Sequence, residues 1–324
     1  MKYYQKEKKK RYFAEIALAL SLLIGAFSFF SITFGLHKAQ IIPYQQLKKE
    51  KDIYIAKPFF ETEKRKNLEG KYILHDIYRL KEIKSPSFLI GDLDNGDIIF
   101  ERKSNTPYPI ASVTKYFTAL TAVQYLKPNE LIKVNDEGLR VPGNRAHFKK
   151  NDTLTVRELL YPLLLVSSND AGELIARQRN RLWFINRMNA LAKKYRLEQT
   201  HFEDPTGISI YNRSSARDLF QMMRKAWKHY PQLVRISSLD EVSINGYQWR
   251  NINRSHTIPE FFGGKTGFTS AAKHTSIGYY HVKLANGKER NIALIILQSG
   301  TRESDTRKIL EYLKKHVSYI PNQN

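Results

Sequence analysis

The sequence predicts an α/β protein of the α+β kind, an antiparallel sheet flanked by helices with an all-helical lobe inserted between its strands. Strand-like runs come early, near Ser87, and return over roughly the last fifty residues. Between them lies a block of segments with helical periodicity. Strands first and last with helices between imply one antiparallel sheet assembled from both ends of the chain. A cleft between sheet and lobe is the natural place for a ligand.

Ahead of this body the sequence predicts one transmembrane helix. Residues 2–11 carry six positive charges against Glu7, and Ile16 to Leu36 is a run of 21 residues without a charge. At about 1.5 Å per residue, such a helix spans the roughly 30 Å hydrocarbon core of a bilayer. A cleaved signal peptide is the rival reading, because Ala26-Phe27-Ser28 offers small residues at cleavage spacing. Against it, the apolar run continues for eight residues past Ser28. The expected organisation is a basic cytoplasmic tail (1–12), a transmembrane anchor (13–36), a charged stalk (37–71) and one globular catalytic domain (72–320). The densest positive cluster lies immediately upstream of the apolar run, which places the tail in the cytoplasm and the domain outside. The stalk is rich in Lys and Glu, with Pro43 and Pro58, as a solvated spacer would be.

The globular elements follow in order. Ser87 to Glu101 reads as two strands around Asp94-Asn95-Gly96, a hairpin turn. Ala111 to Leu126 is helical, with Val113, Phe117, Leu120 and Val123 on one stripe. Thr155 to Ala176 forms two helical pieces parted by Ser167-Ser168-Asn169-Asp170, whose side chains favour a helix start. Helices are expected from Trp183 to Tyr195 and from Ser214 to Lys228. Two strands, His274 to Val282 and Asn291 to Gln298, turn at Asn286-Gly287. An amphipathic helix from about Glu303 to His316 closes the domain.

Composition narrows the chemistry. The chain has 324 residues, a formal net charge of +22, 42% hydrophobic residues, 19 Tyr, 17 Phe and no Cys. That apolar content excludes wholesale disorder, and the absence of Cys excludes disulfides, a thiol nucleophile and thiolate metal sites. The nine His show no H-x-x-x-H spacing, which disfavours zinc, and no metal or cofactor is expected. The tail contributes +5 and Glu15 −1, so +18 of the +22 lies beyond it. A domain outside the cell with that charge suits anionic headgroups or wall polymers and not nucleic acid.

Three short motifs carry the chemistry. Ser112-Val113-Thr114-Lys115 opens a helix, where a spacing of three puts the hydroxyl and the amine on one face. A serine needs a base, and a lysine serves if burial or a second cation keeps it neutral. Ser167-Ser168-Asn169 emerges from the apolar run Leu163 to Val166 and offers a hydroxyl and an amide to a cleft. Lys265-Thr266-Gly267 follows Gly263-Gly264 and precedes the late strands. Its lysine and hydroxyl suit a carboxylate, and its glycine allows close backbone approach. Each motif alone reads more simply as a helix cap or a basic turn. Ser270-Ala271-Ala272-Lys273 repeats the first pattern and is a decoy after a glycine-rich turn.

In this order, at spacings of 55 and 98 residues, the three motifs resemble the signature of the serine penicillin-recognising enzymes. The surrounding residues resemble those of the serine-type D-alanyl-D-alanine carboxypeptidases, the low-molecular-mass penicillin-binding proteins. These include Pro109-Ile110-Ala111, Thr155 to Leu160, Asn169-Asp170-Ala171, Asp204-Pro205-Thr206-Gly207, Ser215 to Leu219, Asn251-Ile252-Asn253, and Arg302 with Asp305. The resemblance covers roughly residues 80–315 and implies a β-lactamase/transpeptidase-like fold. It implies Ser112 as the nucleophile acylated by the penultimate D-alanine, and Lys115 as general base, kept partly neutral by Lys265. It further implies Ser167 as a proton relay and Asn169 as a ligand of the substrate amide and of Lys115. Lys265 and Thr266, next to Gly267, would hold the terminal carboxylate, and the N–H groups of Ser112 and Phe268 would form the oxyanion hole. The partners implied are peptidoglycan stem peptides, with β-lactam antibiotics as inhibitors.

Some residues depart from the family pattern. Ser168 stands where glycine is common and would crowd the cleft, and Ala271-Ala272-Lys273 replaces an Ala-Gly pair. An endopeptidase that cuts cross-links would use the same residues. A class A β-lactamase is disfavoured, since no Glu-x-x-Leu-Asn loop is present. A binding module for wall polymer with a dead site is the reading outside the enzymes.

Overall fold

A computed structural model describes residues 71–321. The tail, the anchor and nearly all of the stalk expected above lie outside the described residues. Among those described, no helix is long and apolar enough to cross a membrane.

The strands of the main sheet and of the pair joining the two ends of the domain are β1 (Lys71–Leu74), β2 (Ser87–Asp92), β3 (Ile98–Arg102), β4 (Phe261–Thr269), β5 (Lys273–Lys283), β6 (Glu289–Ser299) and β7 (Val317–Ile320); three small two-stranded pairs lie elsewhere among the described residues. Five form one sheet in the order β4-β5-β6-β2-β3, with every neighbour antiparallel. The two ends of the chain therefore meet inside the sheet, where β6 pairs with β2 and Ile292 faces Asp92. β1 and β7 form a separate antiparallel pair.

Period-two alternation sorts the side chains between two cores. On β6, Ile292, Leu294 and Ile296 join Phe88 and Ile90 of β2 in one cluster, while Ala293, Ile295 and Leu297 join Leu89 in the other. All six residues of β2 are buried, as expected of a strand covered on both faces. The first face is covered by Ile309, Leu310 and Leu313 of the closing helix. The second packs on the helical lobe. Each such side chain contributes about 1.5–3 kcal/mol by leaving water.

The helices are α1 (Thr114–Tyr125), α2 (Val156–Leu165), α3 (Asn169–Arg177), α4 (Arg181–Lys194), α5 (Ala216–His229), α6 (Pro231–Ser238) and α7 (Arg302–His316), with a single short turn at Asp136–Leu139. Their starts are written in side-chain caps. Thr155 and Glu158 form a reciprocal capping box ahead of α2, and Ser168, Asn180 and Ser215 cap α3, α4 and α5.

Three expectations change. The first turn of the expected Ala111 helix is a 3-10 turn, Ala111–Val113, before α1 begins. Lys265-Thr266-Gly267 does not precede the sheet but lies within β4, its edge strand. Between α5 and β4 the sequence reading found neither α6 nor the hairpin Glu241–Ile244 with Tyr247–Arg250.

One buried ion pair ties the hairpin turn to β6. Asp92, without exposure, accepts from Arg290 Nη2 at 2.5 Å and Nε at 2.8 Å, from Tyr72 Oη at 2.5 Å, and from the Asp94 N–H at 2.8 Å. Arg290→Met leaves that carboxylate buried without its cation, so urea unfolding should show a loss on the order of 3 kcal/mol. The double variant Asp92→Asn/Arg290→Met should recover part of it.

Candidate active site

The three motifs converge on one cleft of about 640 Å³ between sheet and lobe. Ser112, Ser167, Asn169, Thr266, Gly267 and Phe268 line it, and Lys115 and Lys265 stand behind its wall.

Ser112 occupies the 3-10 turn, after Ala111, a non-glycine residue in the left-handed region at φ 47. Such backbone costs of order 1 kcal/mol and persists only where neighbours enforce it. Here the neighbours are two glycines and a threonine. A Cβ on Gly207, itself at φ +89, would stand 1.9 Å from the Ala111 carbonyl oxygen, and one on Gly267 would stand 2.7 Å from the Ser112 nitrogen. Thr275 Oγ1 donates to the Ile110 carbonyl at 2.9 Å. The lobe and the sheet thus grip the Ser112 turn from opposite sides.

Lys115 follows on α1 with no exposure, and its Nζ donates to Ser112 Oγ at 3.0 Å and to the Thr206 carbonyl at 2.6 Å. Burial brings its pKa down to about 7, against the pull of Asp204 and Asp170 in the other direction. Burial is the largest cause of its partial neutrality. Asp204 shapes the loop that offers the Thr206 carbonyl. Its carboxylate accepts from the N–H groups of Thr206, Gly207 and Ser209, each at 2.7 Å. Burial alone would raise its pKa, but these bonds hold it below the usual carboxylate range.

Ser167 sits at φ 59 between α2 and α3, nearly buried, on the cleft wall. Ser168 does not crowd the cleft. It is wholly buried and caps α3, its Oγ accepting from the Ala171 N–H at 2.9 Å. Asn169 makes no bond to Lys115. Its Nδ2 donates to the Pro142 carbonyl at 2.5 Å and its N–H to the Asn144 carbonyl at 2.7 Å, so it holds the segment that walls the cleft. Gly143 belongs to that segment, at φ +97, where a Cβ would stand 2.5 Å from Asn169 Nδ2.

Lys265 is 2% exposed and donates to the Thr266 carbonyl at 2.7 Å. Its pKa lies well below the ordinary value through burial first, then through the charges of Lys115 and Arg302. The cation that does line the cleft is Arg302, at the start of α7. Its Nη1 donates to the carbonyls of Gly267 at 3.3 Å and Thr275 at 3.2 Å, and its Nη2 pairs with Glu303 at 2.5 Å. The sequence reading quoted Arg302 and Thr206 without assigning either a task, and it passed over Pro142 to Asn144 and His274. Neither a spacing nor a motif points to these. The decoy Ser270 lies in the β4–β5 turn, and Lys273 is exposed.

The buried amine has a consequence for stability. The unfolded lysine keeps its proton up to about pH 10.4, whereas the folded one loses it near 7, so this group makes stability rise with pH between those values. Lys115→Met should flatten that rise in melting temperature and be the more stable protein at pH 7.

A family model described as D-alanyl-D-alanine carboxypeptidase matches residues 75–299. The chain is 31% identical over 205 residues to the D-alanyl-D-alanine endopeptidase of Escherichia coli, covering 60% of this chain and 66% of that one. It is also 31% identical over 201 residues to the D-alanyl-D-alanine carboxypeptidase DacB2 of Mycobacterium tuberculosis, covering 59% and 69%. The match thus spans about two thirds of the length of these relatives. Among solved structures, a D-alanyl-D-alanine carboxypeptidase of M. tuberculosis superposes with a TM-score of 0.65 at 26% identity, over 71% of this chain and 90% of that one. Penicillin-binding protein D2 of Listeria monocytogenes, in its cefotaxime-bound form, does so with 0.63 at 25%, over 71% and 97%. With its three motifs gathered at one cleft and the family match spanning most of the domain, the chain belongs to the D-alanyl-D-alanine carboxypeptidase family of serine peptidases, S11.

Proposed function

We propose that this protein is a serine D,D-carboxypeptidase that removes the terminal D-alanine from peptidoglycan stem peptides through an acyl-enzyme on Ser112. The observation that carries this reading is the Lys115 amine, buried, partly neutral at pH 7 and 3.0 Å from Ser112 Oγ. In the forward step Lys115 takes the hydroxyl proton as Oγ attacks the carbonyl of the penultimate D-alanine. The N–H groups of Ser112 and Phe268 receive the oxyanion, and Gly267 permits the approach of the two backbones. The proton passes by way of Ser167 to the leaving D-alanine amine. Water then attacks the ester carbonyl, with Lys115 again as base, and frees the shortened peptide and the serine.

The substrate's terminal carboxylate lies against the Thr266 hydroxyl and Arg302, the groups that line the cleft there. Lys265 supports them from behind through the Thr266 carbonyl. β-Lactams acylate the same serine. The Listeria relative was solved in cefotaxime-bound and ampicillin-bound forms, which supports this. Among the described residues no carboxylate lines the cleft, in keeping with a slowly released penicillin and not with a β-lactamase.

D,D-endopeptidase action is the second reading, favoured by the relatives of that name from E. coli and Pseudomonas aeruginosa. We also carry forward the placement of the domain outside the cell on an amino-terminal anchor and stalk. The net positive charge would hold it near anionic headgroups or wall polymer. On the lobe, Arg187 lies over the rings of Tyr125 and Trp183, and Lys225 beside Tyr195.

Fluorescent penicillin should label the wild type and leave Ser112→Ala unlabelled; an unlabelled wild type overturns the enzyme reading. The rate of labelling should rise with pH through about 7, as Lys115 loses its proton. Release of D-alanine from a free pentapeptide, set against cleavage of a cross-linked dimer, separates carboxypeptidase from endopeptidase. Retention on anionic wall polymer should weaken as salt rises, and salt-independent retention argues against the electrostatic role.

A further inference from the structure

His274 is a second feature of the cleft that the chemistry above leaves unused. It opens β5 opposite Phe268 of β4, and the two rings lie 4.6 Å apart between centroids. The residue lines the cleft, yet its Nδ1 is buried and has no hydrogen-bond partner among the described residues. Nε2 is not among the buried unpartnered atoms, which leaves it as the ring nitrogen available to a ligand.

The orphaned nitrogen decides the tautomer of the neutral ring. A buried N–H without an acceptor is rarer and costlier than a bare lone pair. The neutral imidazole therefore keeps its proton on Nε2 and turns a donor towards the cleft. Arg302 lines the same cleft, and its guanidinium bonds the carbonyls of Gly267 and Thr275, the residues next to Phe268 and His274. The charged groups near the ring are Lys273 before it on β5 and Glu303, with Arg302, on α7. Glu303 is held to Arg302. Arg302 thus brings charge and His274 brings a directed N–H to the same end of the cleft.

We propose that His274 is a specificity residue whose Nε2–H, together with Arg302, binds the terminal carboxylate of the ligand. This rests on the serine-peptidase reading above and adds to it a residue outside all three motifs.

The test compares acylation by benzylpenicillin with acylation by its methyl ester, for the wild type, His274→Phe and His274→Gln. His274→Phe keeps a ring against Phe268 but has no donor, whereas His274→Gln keeps a donor. A hydrogen bond to a charged group is worth about tenfold or more in rate constant. His274→Phe should therefore acylate about tenfold more slowly with the acid and within about twofold of the wild type with the ester. His274→Gln should recover most of the loss with the acid. Equal slowing of acid and ester, or no slowing of either, overturns the proposal, and failure of His274→Gln to recover does so as well. A wild type that neither compound acylates overturns the peptidase reading itself, so the two failures are distinguishable.

Discussion

A lysine amine shut away from water is the condition around which this domain is arranged. Bringing the Lys115 pKa from 10.5 down to about 7 corresponds to a penalty on the order of 5 kcal/mol against the charged form. That is comparable with the whole stability of many domains. The fold sustains it by keeping the amine partly neutral and giving it two acceptors, Ser112 Oγ and the Thr206 carbonyl. The second acceptor exists only because Asp204 gathers the N–H groups of its own loop and fixes where the carbonyl points. An amine of near-neutral pKa is thus a by-product of packing, and burial likewise lowers the pKa of Lys265.

The cleft draws on both halves of the architecture because neither half could hold it alone. The lobe supplies Lys115, Ser167, Asn169 and the Thr206 loop, and the sheet supplies Thr266, Gly267 and Phe268. Their meeting point is the strained turn at Ala111, enclosed by Gly207 from one side and Gly267 from the other. A side chain at either glycine would push the two halves apart at the Ser112 turn.

Much of this was legible in the sequence, for identifiable reasons. Strong local signals placed their elements well. Asp94-Asn95-Gly96 turned the hairpin, Thr155 with Glu158 boxed the start of α2, and the apolar stripe of α1 met the core. The three motifs were legible because each packs reactive side chains into three or four consecutive positions. What escaped lacked a local signature. Arg302 and His274 reach the cleft through strand register and the entry of α7, which are long-range facts. The crowding expected of Ser168 failed because its side chain found a better use as a helix cap. Lys265-Thr266-Gly267 looked like a turn because glycine is a weak strand former, yet Gly267 is what lets this edge strand lie against the Ser112 turn.

The pairing of β2 with β6 also sets a timetable. Asp92 and Ile292, joined in register, are separated by 200 positions of chain. As a ribosome delivers the polypeptide from its amino end, β2 emerges long before its partner exists. Its six residues, all destined for burial, wait without a sheet to join. Contacts of such separation form slowly. The Ser112 turn cannot be gripped until β4 and β5 arrive, so the cleft is assembled only when nearly the whole domain is in place.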